Sequence, residues 1–174
     1  FNFFSGYGLY KGNVLHKLYK TIIQNKTNSP NTTFNQLYEK TGKKLYICAV
    51  NISKQHSVYF SVDTHPEMEI HLALRLSTSF PFVFKSLKYR GDYYVDGGVM
   101  DNYPMEIFDE CSNALGFNLV TKTNKEIKMD GIVCFTKSII GSMTEAQNIL
   151  ELHPYKHQTV CIYNPIDSLL TSVL

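Results

Sequence analysis

The stretch "YYVDGGVMDNYP" (residues 93–104) runs from an aromatic, β-branched segment through an Asp-Gly-Gly step to a proline. Tyr93 to Val95 predict a strand. Asp101 or Asn102 as cap, with Pro104 in the first turn, predicts a short helix after it. Asp96 therefore stands at a strand's end. From these residues alone two readings stay open. An Asp-Gly turn is one, because Asp tolerates and Gly supplies positive φ. The other is a carboxylate held at the carboxyl end of a strand, where ligands sit in open α/β sheets. The glycines would then let a substrate or a partner loop come close.

Working outward, "LKYRGDYYVDGG" predicts a hairpin with its turn at Gly91-Asp92 and Tyr93 to Val95 as the return strand. The preceding "DTHPEMEIHLALRLSTSFPFVF" fits two periods. Met68, Ile70, Leu72, Leu74 and Leu76 alternate as in a strand, while Ile70, Ala73, Leu74 and Ser77 share a helical face. Pro66 at a first turn, with Glu67 and Glu69 near an N-terminus, selects a helix ending before Pro81. "KLYICAVNI" (44–52) predicts a strand covered on both faces, and "HSVYFSV" (56–62) an antiparallel neighbour.

Nearer the N-terminus, "GYGLYKGN" reads as a loop and Asn13 as a helix cap. Val14, Leu15, Leu18, Tyr19, Ile22 and Ile23 make one apolar stripe. Thr33 and Gln36 form a capping box for a short helix that Gly42 ends. Downstream, "NLVTK" predicts a strand, "IVCFTKSIIGSMTEAQNILEL" mostly helix with Val133 to Phe135 also able to begin as strand, and "QTVCIYNP" (158–165) a final strand. Helices alternating with strands imply an α/β sandwich.

The chain has 174 residues, 44% hydrophobic and 18% charged, which bounds it to one globular domain or most of one. No apolar run approaches the roughly 20 residues of a membrane-spanning helix. The chain opens on "FNFF" without Met and stops on "DSLLTSVL", which suggests a piece of a longer protein. The net charge of +2 is too small to argue for nucleic acid. Charge is uneven, however: residues 1–44 hold seven Lys and one Glu, and the remainder is net acidic. Such a segment is either a solvated helix face or a surface leaning toward anionic head groups or phosphates. Cys48, Cys134 and Cys161 lie in apolar runs, and with Cys111 they form no CxxC pair. This pattern suggests free thiols and a reducing compartment.

An Asp-based site needs a partner. A carboxylate can take a proton from a nucleophilic serine, directly or through His, if burial raises its pKa. No Gly-x-Ser-x-Gly elbow occurs; the sole Gly-x-x-x-Gly spacing, Gly8 to Gly12, centres on Tyr10. No P-loop or dinucleotide fingerprint occurs. His153 and His157 stand four apart with Pro154 between them, which argues against a metal pair. His71, in an apolar segment, suits a structural role.

Taken together, "GLYKGNVLHKLYKTII", "TFNQLYEKTGKKLYICAVNIS" and "ALRLSTSFPFVFKSLKYRGDYYVDGGVMDNYPM" resemble the patatin-like phospholipases in order and spacing. The similarity is close over residues 8 to 121. "ALGFNLVTKTN" is most similar to versions carried by large DNA viruses. The resemblance implies a three-layer α/β/α sandwich of the patatin-like type, incomplete at the N-terminus, with residues 1–174 forming the C-terminal part of one domain. It implies a metal-free, cofactor-free serine acyl hydrolase with a Ser–Asp dyad, acting on phospholipids or lysophospholipids. Its Asp-Gly-Gly motif maps onto Asp96, Gly97 and Gly98, with Asp96 as the catalytic acid. The family's serine elbow and Gly-rich oxyanion loop would precede Phe1, so the chain alone is expected to be inactive. Ser77 and Ser79 are expected to be packing residues, and Asn102 and Pro104 to hold the turn after the motif. Tyr93, Tyr94, Phe80, Phe82 and Phe84 are expected either in the core or facing lipid. The expected partner is membrane lipid or lysolipid, with no nucleic acid. The expected location is the cytoplasm or a membrane periphery. The alternative from the same resemblance is a non-catalytic patatin-like module that binds lipid or protein.

Overall fold

The computed structural model describes residues 7–108, 113–121 and 130–164. The chain divides into two compact units, Phe1–Asp101 and Asn102–Leu174.

The first unit begins with a short strand, β1 (Gly8–Tyr10), where the sequence suggested a loop. Its backbone pairs in parallel with β4 (Phe82–Phe84). Helix α1 (Asn13–Thr27) follows, and its cap is Gly12 at φ 70 rather than Asn13. Helix α2 (Phe34–Thr41) carries the predicted capping box: Thr33 accepts from the Gln36 amide, and Gln36 accepts from the Thr33 amide. Gly42 closes it at φ 66, a left-handed conformation that glycine adopts without strain.

Strands β2 (Ile47–Asn51) and β3 (His56–Phe60) are antiparallel, as expected. Helix α3 (Ile70–Ser77) resolves the segment of two periods in favour of a helix. Pro66 and Glu67 lie in the turn before it, so the helix starts later than the proline suggested. Strands β5 (Leu87–Tyr89) and β6 (Asp92–Asp96) form the predicted hairpin. The turn sits one residue earlier than expected, on Arg90 and Gly91, both at positive φ. A two-residue turn with two positive φ values matches the twist of its strands. The order across the sheet is β3-β2-β6-β5.

Residues paired across this sheet share a face. Ile47, Ala49, Phe60 and Tyr94 point to one side and join Phe34, Met68, Ile70, Ala73 and Leu76 in the core. Val50 and Val95, paired across β2 and β6, are buried on the other side. The central strands are thus buried on both faces, as the unbroken apolar run of β2 implied. The α/β layering expected from the sequence is present.

The second unit holds β7 (Gly116–Thr121) and β8 (Thr159–Asn164), paired in parallel, and α4 (Gly131–Leu152). The expected helix after Pro104 is a 3-10 turn, Met105–Phe108. Tyr103 ties the unit together: its amide donates to Glu151 at 3.0 Å and its hydroxyl lies 2.6 Å from that of Thr159. Cys161 is exposed, not inward-facing, while Cys48 and Cys134 are half-buried. Cys111 lies outside the described residues. Among the described residues, no helix is long and apolar enough to cross a membrane.

Candidate active site

Asp96 is the last residue of β6, and the chain turns at once into a single 3-10 turn, Gly97–Val99. Two bonds fix it. Its amide donates to the Ser79 carbonyl at 3.1 Å. Its carboxylate accepts from the Gly98 amide at 2.9 Å. The carboxylate thus caps the turn that follows it.

Gly97 is required for close approach, not for positive φ, which corrects the simple Asp-Gly turn. A Cβ there would lie 2.6 Å from the Cys48 carbonyl oxygen and 2.9 Å from its carbon, both backbone atoms of β2. The chain leaves β6 pressed against its neighbour strand. Gly97 O then accepts from the amides of Met100 and Asp101 at 3.1 and 2.9 Å. Tyr59 on β3 binds the Asp101 carboxylate and pins the far end of the turn.

Asp96 is half-buried, and no cation pairs with it among the described residues. Burial pushes its carboxyl above the usual carboxylate range, and the Gly98 amide offsets this only in part. A carboxylate so placed is a stronger base than a solvated one.

Ser79 is fully buried and its hydroxyl is occupied in both senses. It donates to the Arg75 carbonyl at 2.8 Å and accepts from the Arg75 guanidinium at 2.7 Å. It supports Asp96 through its carbonyl and is no nucleophile. Ser77 is half-buried on the last turn of α3. Asn102 is exposed and Pro104 half-buried. Of the five aromatics, Tyr94 is in the core, and Phe80, Phe82, Phe84 and Tyr93 are half-buried.

Arg75 escaped the sequence reading. It is 1% exposed. Its second bond reaches the Lys11 carbonyl at 2.9 Å, and its guanidinium lies 5.5 Å from the Phe84 ring centre. A Cβ on Gly12 would overlap the guanidinium, so glycine at the start of α1 makes room for it. The available signal was a lone arginine inside the apolar run "LALRLS". His71, also buried, sits 2.9 Å from His16 on α1, and its other nitrogen is 2.9 Å from the Glu69 carboxylate. His153 and His157 are both exposed in the 3-10 segment after α4. No cluster of three or more His, Cys, Asp or Glu side chains able to hold a metal occurs among the described residues.

Comparison with known proteins gives this geometry a context. The family model "Patatin-like phospholipase" matches residues 1–109. The "Probable lipid hydrolase 463L" of Invertebrate iridescent virus 6 is 32% identical over 167 residues, 96% of this chain and 53% of that protein. The "Uncharacterized protein R571" of Acanthamoeba polyphaga mimivirus is 36% identical over 104 residues, 60% of this chain and 34% of that protein. The chain therefore spans about half the length of the first relative and a third of the second. Among solved structures, VipD from Legionella pneumophila aligns at a TM-score of 0.48 and 21% identity, over 73% of this chain and 24% of that one. On the family match over residues 1–109, which contains the whole Asp-Gly-Gly turn, the chain belongs to the patatin-like phospholipase family.

Proposed function

We propose that residues 1–174 are the acid-bearing part of a lipid acyl hydrolase, in which Asp96 pairs with a serine supplied by a segment preceding Phe1. One observation carries this reading. Asp96 is a half-buried carboxylate without a cationic partner among the described residues, fixed at a strand end by two hydrogen bonds and raised in pKa by burial. Family membership and a relative named as a probable lipid hydrolase support the same chemistry. The absence of any Gly-x-Ser-x-Gly from the chain supports an upstream nucleophile.

In the first step Asp96 takes the seryl proton as the serine oxygen attacks the carbonyl carbon of a fatty-acyl ester. Backbone N–H groups of a Gly-rich loop hold the oxyanion. The C–O bond to the lipid alcohol breaks, and that alcohol leaves with the proton from Asp96. Water then gives a proton to Asp96 and attacks the acyl-serine, and the returning proton frees the serine and a fatty acid. The chemistry calls for no metal or cofactor. The substrate is a phospholipid or lysophospholipid met at a membrane periphery.

The test is fatty-acid release from phospholipid and lysophospholipid by the protein extended upstream of Phe1. Asp96→Asn is expected to lower turnover by at least about 100-fold. Unchanged turnover in that variant would remove Asp96 from the mechanism, and an extended chain with no serine elbow would leave a non-catalytic patatin-like binding module.

A further inference from the structure

Helix α1 contains no buried residue. Its apolar stripe is split. Leu15, Tyr19 and Ile23 are half-buried on the inner side, with Ile23 against the core and Tyr19 donating to Thr78 at 3.1 Å. Val14, Leu18 and Ile22 recur every fourth residue, which aligns them along one line of the helix. They point outward, 83%, 49% and 45% exposed. The stripe is wider than packing on α3 and the core requires, and its outer row is left in solvent.

The charges beside this row have one sign. Lys17 lies beside the row, Lys26 continues it one turn beyond Ile22 and Lys11 precedes its N-terminal end, all three exposed. None forms an ion pair among the described residues. Helix α1 has no acidic residue, and Glu39, the one acid in residues 1–44, accepts instead from Asn35 at 3.0 Å.

A second copy of the chain would bring lysine against lysine across a symmetric contact. A polyanion alone would leave the apolar row unused. An anionic phospholipid surface meets both demands: the row enters the head-group boundary while the ammonium groups stay among the phosphates. We propose that Val14, Leu18 and Ile22, with Lys11, Lys17 and Lys26, form a docking face for an anionic phospholipid surface. The proposal does not depend on Asp96 or on any reaction.

The test is cosedimentation of the purified protein with phosphatidylcholine vesicles, with and without phosphatidylserine. Wild type is expected to bind the phosphatidylserine vesicles and to be released by salt. Lys17→Gln with Lys26→Gln is expected to weaken binding about fivefold per lysine. Val14→Ser with Leu18→Ser and Ile22→Ser is expected to abolish it, with the urea midpoint lowered only modestly, because Leu18 and Ile22, 49% and 45% exposed, keep part of their surface packed and serine is the poorer helix former. Equal binding to both vesicle types, or wild-type binding by either variant, would overturn the proposal. So would a wild-type dimer that the triple variant turns into a monomer, which would assign the row to a second copy.

Discussion

The backbone of Asp96 hangs from the backbone of Ser79, amide to carbonyl at 3.1 Å, while Arg75 grips the Ser79 hydroxyl at 2.7 Å. The motif turn is thereby coupled to the buried end of α3. Arg75→Met keeps much of the packing and removes both hydrogen bonds. The Lys11 carbonyl, on an exposed residue, loses that donor, and the Ser79 hydroxyl keeps only its bond to the Arg75 carbonyl, for a loss of about 1–3 kcal/mol in all. Urea denaturation is expected to show a lower midpoint, with Arg75→Lys recovering only part of it. A lysine cannot reproduce the planar fork.

Gly97→Ala places a methyl 2.6 Å from the Cys48 carbonyl oxygen. Backbone cannot yield as a flexible side chain does, so β2 and β6 must separate. A loss of about 1–3 kcal/mol is expected, the range for overpacking. Amide exchange at Val50 and Val95 should rise with it. An unchanged midpoint would mean that the turn can leave β2 freely.

Asp96 also links stability to pH. Its folded pKa lies above the unfolded value, chiefly through burial. The native state therefore holds the proton more tightly, and stability falls as pH rises from the ordinary aspartate range through the raised value. Asp96→Asn keeps an oxygen for the Gly98 amide and has no charge to bury. The variant is expected to match or exceed wild-type stability at neutral pH, with the difference vanishing in acid. A destabilised variant at neutral pH would contradict the burial argument.

The His16–His71 pair acts in the opposite window. Burial lowers both imidazoles first; Lys20 and Arg75 add to this at His16, and Lys20 and His16 at His71, against the pull of Glu69. Their hydrogen bond needs at least one neutral ring. Stability from the pair is present above the ordinary imidazole pKa and is lost as pH falls through it toward the lowered values. His16→Gln is expected to flatten the decline in urea midpoint between neutral and mildly acidic pH. An equally steep decline in the variant would place its cause elsewhere.

Local signals were legible wherever neighbours in sequence do the work. The Thr33–Gln36 box, the closing Gly42, the β5–β6 hairpin and the strand leading to Asp96 all follow from spacing of a few residues. The Asp-Gly-Gly motif, within its longer context, also carried the family. Errors of one residue, at Gly12 and at Arg90-Gly91, arose because more than one small or polar residue could take the special φ. The short strand β1 was hidden for another reason: its partner, Phe82–Phe84, lies more than seventy residues away.

By itself, then, the sequence determined the α/β alternation, the helical nature of residues 70–77 and the place of Asp96 at the end of a strand. Only the tertiary structure decided why Gly97 must be glycine, which half of the α1 stripe meets water, and that Arg75 anchors the Asp96 support. Periodicity reports which residues are apolar and on which face they recur. It carries no record of how much of that face a distant element covers, or of which backbone atoms another strand brings within 3 Å of a missing Cβ.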